Sequence, residues 1–454
     1  MSKSYIKAKD LTSGNEFHTI IIFAIPFILQ NIAQQMYSFI DGLIAARYLG
    51  VEQFAAIGAV STLVGLLRSF AMGLMIGTSI ILAQSIGEKD NTKISNSISI
   101  MFQIAIMCSI LITVIGCSQC NNLIHLLDIP KELVQYASNY LTLIFLGTIF
   151  SFTSNAITSI YKSYGDSKTP LYIMCFSLII NLSLDYLFVR YFRLGIQGIA
   201  LATVISEAVA LLLLFFIIRK RVKARLHVNI FHLHEFNTYK ECLSCGIPSA
   251  IQQSVVQLGF TLNQGFINSF GTTTISAVSA ASKIETFGSL ALTNIGVAMS
   301  TYSAQNYGAK KPRRIASGFK QMRLFIILFS LLSAILINLF ARPLLGFFVD
   351  LNEKNYPEIM SEGCSYLKTI GMFLFLFGLI SITNGTLRGI GNVLITAVGA
   401  IASLGTRLIM GLILKNLGYG PASIWIAIPI GWLAGLTITS IKIYSLNFMQ
   451  NDYS

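Results

Sequence analysis

The chain has 454 residues, of which 54% are hydrophobic and 11% charged, and its formal net charge is +13. A soluble globular domain carries about 25% charged residues. Together with a mean hydropathy of +0.69, so few charges exclude that class and point to a polytopic membrane protein.

A helix crosses the hydrocarbon with about 20 apolar residues. Twelve stretches meet that measure, near 17–46, 54–86, 97–117, 134–160, 170–190, 195–218, 242–269, 274–305, 320–341, 364–386, 392–414 and 420–444. Hydrocarbon offers exposed backbone no partner, so the stretches read as helices. They are too long and too continuously apolar for barrel strands. The first sixteen residues are polar and the first apolar run is too long for a signal-peptide core, so no cleaved signal is expected.

The first span holds Pro26, Gln35, Tyr37 and, within "YSFIDGLIAARYLG", the carboxylate of Asp41. An acid at the bilayer centre costs about 2.5–3.5 kcal/mol on insertion scales, which makes it a functional candidate by default. Proline at 26 can bend the helix and redirect its second half. The fifth span contains "IINLSLDYLF", where Asn181 and Asp185 are one turn apart on one face. Two carboxylates brought together there would repel in a low dielectric, and a shared proton or an oxygen-coordinated Na⁺ would relieve the cost. Arg68, Glu207, Lys283, Glu285 and Arg407 are further charges within spans, read as ion pairs or cavity lining with partners unassigned. Cys117-x-x-Cys120 and Cys242-x-x-Cys245 lack the second ligand pair or thioredoxin-like context that zinc or redox chemistry needs.

The densest basic clusters, Arg219–Arg225 and Lys310–Arg314, fall in alternate loops, together with Lys3, Lys7, Lys9, Lys89, Lys93, Lys162, Lys168 and Arg388. That distribution is the positive-inside pattern and puts both termini in the cytoplasm. The cations set topology and meet anionic lipid, so no nucleic-acid partner is expected.

The chain is also duplicated. "AIPFILQNIAQQMYSFIDG" aligns with "GIPSAIQQSVVQLGFTLNQ", placing Pro26 on Pro248 and Gln35 on Gln257. Ala83, Gln84, Gly87 and Lys89 match Ala304, Gln305, Gly308 and Lys310, and Lys162, Gly165 and Asp166 match Arg388, Gly391 and Asn392. Each half holds an even number of spans, so the copies share one orientation, as in carriers built from parallel repeats. The counterpart of Asp41 is Asn263, so the acid belongs to one half only.

These features resemble the multidrug and toxic compound extrusion (MATE) transporters over nearly the whole chain. The resemblance rests on "DLTSGNEFHTIIIFAIP" leading into "QMYSFIDGLIAARYLG", the paired Ala-Gln-x-x-Gly-x-Lys segments, "SYGDSKTP", and "NLSLDYLFVR" followed by "GIQGIALATVISE". It implies a V-shaped pair of six-helix lobes and antiport. It also implies a first-lobe cation site of Asp41, Asn181, Asp185 and Thr203 with Pro26 as the bending proline, Tyr140 and Asn155 extending the network, and Gln257 standing where one branch carries a second acid; Glu285 is not a clear substitute for it.

The expectation is an all-α integral membrane protein with twelve transmembrane helices in two six-helix lobes, 1–218 and 242–454, joined by a basic cytoplasmic linker, 219–241, and related by a pseudo-two-fold along the membrane normal. It is a monomer in the cell membrane, not an enzyme, without a cofactor. It exports amphipathic cationic compounds in exchange for H⁺ or Na⁺, the ion held at Asp41, Asn181, Asp185 and Thr203, with Gln35, Tyr37, Tyr140, Asn155, Gln257 and Glu285 as cavity or network residues. The alternative is a flippase for a lipid-linked oligosaccharide or cell-wall precursor, which should favour a cationic cavity. The loop motif of major-facilitator carriers is absent from "SIGEKDNTKIS", and no acidic pair of the kind a membrane transferase uses for Mg²⁺ is seen.

Overall fold

A computed structural model describes residues 10–222, 236–351, 353 and 355–446. Most of the basic linker (223–235), Lys3, Lys7, Lys9 and Lys354 lie outside the described residues. The described residues form α1 (Glu16–Tyr48), α2 (Val51–Glu88), α3 (Asn91–Ser118), α4 (Cys120–Leu126), α5 (Lys131–Ser163), α6 (Lys168–Tyr186), a π-turn (Leu187–Tyr191), α7 (Ile196–Val222), α8 (Phe236–Asn268), α9 (Thr272–Gly308), α10 (Pro312–Gly346), α11 (Tyr356–Gly389), α12 (Val393–Asn416) and α13 (Ala422–Tyr444).

Twelve of these helices correspond to the twelve expected spans, and α4 is a short extra helix between the third and fourth. Ten are long and apolar enough to cross a membrane. The other two, α8 and α9, have 33 and 37 residues but carry more polar side chains. Much of the apolar surface points outward. On α10, Leu324, Leu328, Leu331, Leu332 and Leu339 are each more than half exposed. A soluble protein rarely leaves such a stripe uncovered, and lipid is its natural cover.

The duplication reaches the backbone. Lys89 ends α2 and Lys310 follows α9, both in the left-handed region, at φ 61 and φ 54. Gly165 and Gly391, matched in the repeat, are likewise at φ 76 and φ 87. Side chains then start the next helices: Asp90 accepts from the Thr92 and Lys93 amides, and Asp166 accepts from those of Lys168 and Thr169. Such caps satisfy otherwise orphaned N–H groups.

By packing, the chain forms two compact units. One holds Ile25–Ala250; the other holds Leu11–Ala24 and everything from Ile251. Each divided helix changes unit beside a proline, α1 at Pro26 and α8 just after Pro248. Boundaries at 218 and 242 therefore describe the duplication, whereas packing is exchanged between the copies at α1 and α8.

In the first unit, the exchange rests on small residues. A Cβ at Gly73 would lie 2.5 Å from the Ser249 carbonyl oxygen, and Gly77 abuts the Cys245 carbonyl. Gly-x-x-x-Gly on α2 thus lets the start of α8 approach backbone to backbone. In the second unit, residues 11–16 are strapped down by α9 and α10. Gln305 accepts from the Leu11 amide, Asn306 donates to the Leu11 carbonyl, Lys311 to Thr12 and Arg314 to Gly14 and Glu16. The matched Ala-Gln-x-x-Gly-x-Lys segment therefore anchors a preceding piece of chain.

Gly73→Leu should lower the melting temperature of the purified protein, since overpacking costs about 1–3 kcal/mol and the obstacle here is backbone. Gly265→Ala should not, because nothing lies within 4 Å of its Cβ position and alanine favours the helix. Thermal unfolding in detergent compares the two.

Candidate functional site

The cluster sits in the first unit, where α1, α2, α5, α6 and α7 supply one or two polar groups each. Asp185 occupies the last turn of α6, directly before the π-turn in which the Phe192 amide bonds to the Leu187 carbonyl at 3.1 Å. Such widened turns recur at functional sites because they redirect the residues beside them. Asp185 is 0% exposed and Asn181 2%, so both are enclosed by protein despite standing near a helix end.

The start of α7 is fixed from α2. Gln53 accepts from the Ile196 amide at 2.8 Å, and Gly195, at φ 58, leaves room for the Gln53 side chain where a Cβ would stand 2.5 Å from its oxygen. Thr203, two turns on, is thereby placed at the cluster. Its hydroxyl donates to the Ile199 carbonyl at 3.1 Å, and the Tyr37 side chain lies beside it.

Asp41, half-buried on α1, faces Asp185. The two carboxyl groups stand within hydrogen-bonding reach of each other. Among the described residues no donor reaches either oxygen of Asp185 or Asp41 Oδ1, and the Asn181 amide is engaged at neither end. Two carboxylates are acceptors only. Buried polar groups left without partners are rare and costly. A proton between the carboxyls, or a hard cation bound by their oxygens and those of Asn181 and Thr203, satisfies the set.

Arg68 on α2 and Glu207 on α7 are partners, 4.0 Å apart. They line a small cavity with Thr203, Ser151 and Phe152. The Arg68 charge also acts on Tyr140, Tyr37 and Asp41, so the acid pair and Glu207 share its field. Tyr140 is buried beside the cluster. Asn155 is not brought to it: fifteen residues past Tyr140 is about 22 Å along a helix, and its amide donates to the Ser151 carbonyl at 2.9 Å. Gln35 is exposed on α1, and Pro26 is buried within an unbroken α1.

Gln257 and Glu285 lie in the second unit. The Gln257 carbonyl accepts from Thr261. Glu285 accepts a 2.5 Å hydrogen bond from the Tyr366 hydroxyl, and Arg407 acts on both electrostatically. Tyr366 has no place in the sequence expectation. The signal for it is the repeat, which sets Tyr366 on Tyr140 in the register that sets Arg388 on Lys162.

The family model described as MatE matches residues 26–187 and again 248–413. The chain is 29% identical to the probable multidrug resistance protein YpnP of Bacillus subtilis, over 86% of each chain. It is 22% identical to the probable multidrug resistance protein NorM of Thermotoga maritima, over 83% of this chain and 80% of the relative. The crystal structure of MATE in the bent conformation is similar in fold, with a TM-score of 0.86 at 21% identity over 100% of both chains. A MOP superfamily transporter from Pyrococcus furiosus, described as having a binding pocket of reverse polarity, gives 0.85 at 21% identity over 97% of both. With the model matched twice over well beyond half its length, at the two copies that the repeat delimits, this multi-pass membrane protein belongs to the MatE family.

Proposed function

We propose that the protein is a cation-coupled antiporter, a carrier and not an enzyme, that exports amphipathic cationic compounds by alternating access. The observation that carries the coupling is the facing pair Asp41 and Asp185: among the described residues no donor reaches Asp41 Oδ1 or either Asp185 oxygen, beside an unengaged Asn181. The names of the relatives, multidrug resistance proteins, support the substrate class. The coupling ion, H⁺ or Na⁺, binds the four-residue set from one side of the membrane. Ion and substrate each favour one of two states of the carrier, and exchange follows from that shared equilibrium. The protein works as a monomer in the cytoplasmic membrane. Both termini face the cytoplasm, a reading supported by the basic turn Lys310–Arg314, which holds residues 11–16.

Ethidium efflux from proteoliposomes, under separately imposed pH and Na⁺ gradients, tests this. At least one gradient should drive efflux, and the one that does identifies the ion. Efflux that ignores both gradients would sink the proposal.

A further inference from the structure

The second half carries a constellation that this reading does not use: Glu285 on α9, Tyr366 on α11 and Arg407 on α12. Tyr366 donates to Glu285, Arg407 acts on both electrostatically, and Arg407 Nε is buried without a hydrogen-bond partner among the described residues. The repeat gives these positions a meaning. The family match ends at Leu187 in one copy and Ile413 in the other, the register that also sets Lys162 on Arg388. In it, Tyr366 stands on Tyr140, Arg407 on Asn181 and Gly411 on Asp185, while Asn263 stands on Asp41 in the register that sets Pro248 on Pro26. Four members of the first-half cluster thus have counterparts, with altered chemistry.

The alterations are concerted. Both acids are gone: one is the amide of Asn263, the other is Gly411, where a Cβ would lie 3.0 Å from the ring of Phe266. The space of the second carboxylate is filled by that ring. Where the first half has an unengaged amide, the second has a guanidinium. It stays protonated at any pH the cell meets. A partly buried charge of that kind calls for a counter-charge, and Glu285, at a position where the first half has apolar Val64, acts on it electrostatically. The stem is gripped as well: a Cβ at Gly431 would come within 3.0 Å of Arg407 Cβ and 2.6 Å of the Ser403 carbonyl.

We infer that Arg407 is a tethered cation, holding in the second half, beside Glu285 and Tyr366, the place that the exchangeable ion holds in the first. The second half then binds no coupling ion, and one ion site serves the transport cycle. The inference rests on the first-half coupling reading for its function, but its chemistry can be tested apart from it.

Ion binding by the purified full-length protein is the first arm, read as ²²Na⁺ retained or protons taken up per molecule. One ion should bind, Asp41→Asn should lose it, and Glu285→Gln should leave the count at one. A second ion that Glu285→Gln removes would overturn the inference. An ion that survives Asp41→Asn and Glu285→Gln alike would instead sink the coupling reading and leave this one standing. The second arm is a gain of site. Arg407→Ala should be stabilised by methylguanidinium, seen as a raised melting temperature, and Arg407→Ala with Glu285→Gln should not respond. A folded Arg407→Ala protein indifferent to methylguanidinium overturns the inference. If that variant is recovered only when purified with methylguanidinium, the inference is supported; if it is never recovered, the ion count decides.

Discussion

Asp185→Asn should abolish the proposed gradient-driven export while the protein stays folded. Its carboxyl is fully buried, faces Asp41 and receives no donor from the described residues. Asparagine keeps the volume and supplies the N–H that the Asp41 carboxylate lacks, so it removes a repulsion and adds a bond. The apo protein should therefore melt at the same temperature or higher. The ion loses a charged ligand, and hydrogen bonds to charged groups are worth about 1.5–3 kcal/mol, roughly 10- to 100-fold in affinity. Two measurements separate this from a folding defect. Ethidium efflux under the driving gradient should fall to the level of empty vesicles. The rise in melting temperature that the coupling ion gives the parent protein should vanish in the variant. Gradient-driven efflux at the parent rate would refute the role of Asp185.

Much of this site is legible in the sequence because helical spacing carries it. Asn181 and Asp185 are four apart, and periodicity alone puts them on one face. Asp41 stands out because its surroundings hold no other charge. Periodicity is silent about pairs that tertiary packing creates. Arg68 and Glu207 are 139 residues apart, and nothing local marks them as partners. The π-turn after Asp185 and the short α4 escape notice for another reason: neither changes the hydrophobic pattern. The exchange of α1 and α8 between units is hidden by the duplication itself, since a repeat shows which segments are alike and not which ones pack. Only the glycines at 73 and 77 hint at it, because close backbone approach requires them. Asn155 shows the converse limit. Its residue type fits a polar network, but the rise of the helix carries it away from Tyr140.

Glu207→Gln should weaken ion binding about tenfold without touching an ion ligand. Arg68 interacts with two acidic groups, ion-paired with Glu207 at 4.0 Å and acting electrostatically on Asp41. While Glu207 is ionised, the pair presents little net charge to the ion site. Neutralising Glu207 leaves an uncompensated guanidinium that competes with the ion for Asp41. At an effective dielectric near 20, a unit charge acting over roughly 8–16 Å is worth about 1–2 kcal/mol, or roughly tenfold. The side chains are 50% and 29% exposed to the cavity, so the lower end of that range applies. The opposite variant, Arg68→Gln, should strengthen ion binding and lower the melting temperature, because Glu207 then sits in the cavity wall without its partner. The double variant removes both charges together, and its ion affinity should return close to that of the parent. That cycle isolates the electrostatic coupling from packing. Equal affinities in all four proteins would show that the Arg68–Glu207 pair is a structural link in the wall of the cavity with no hold on the ion.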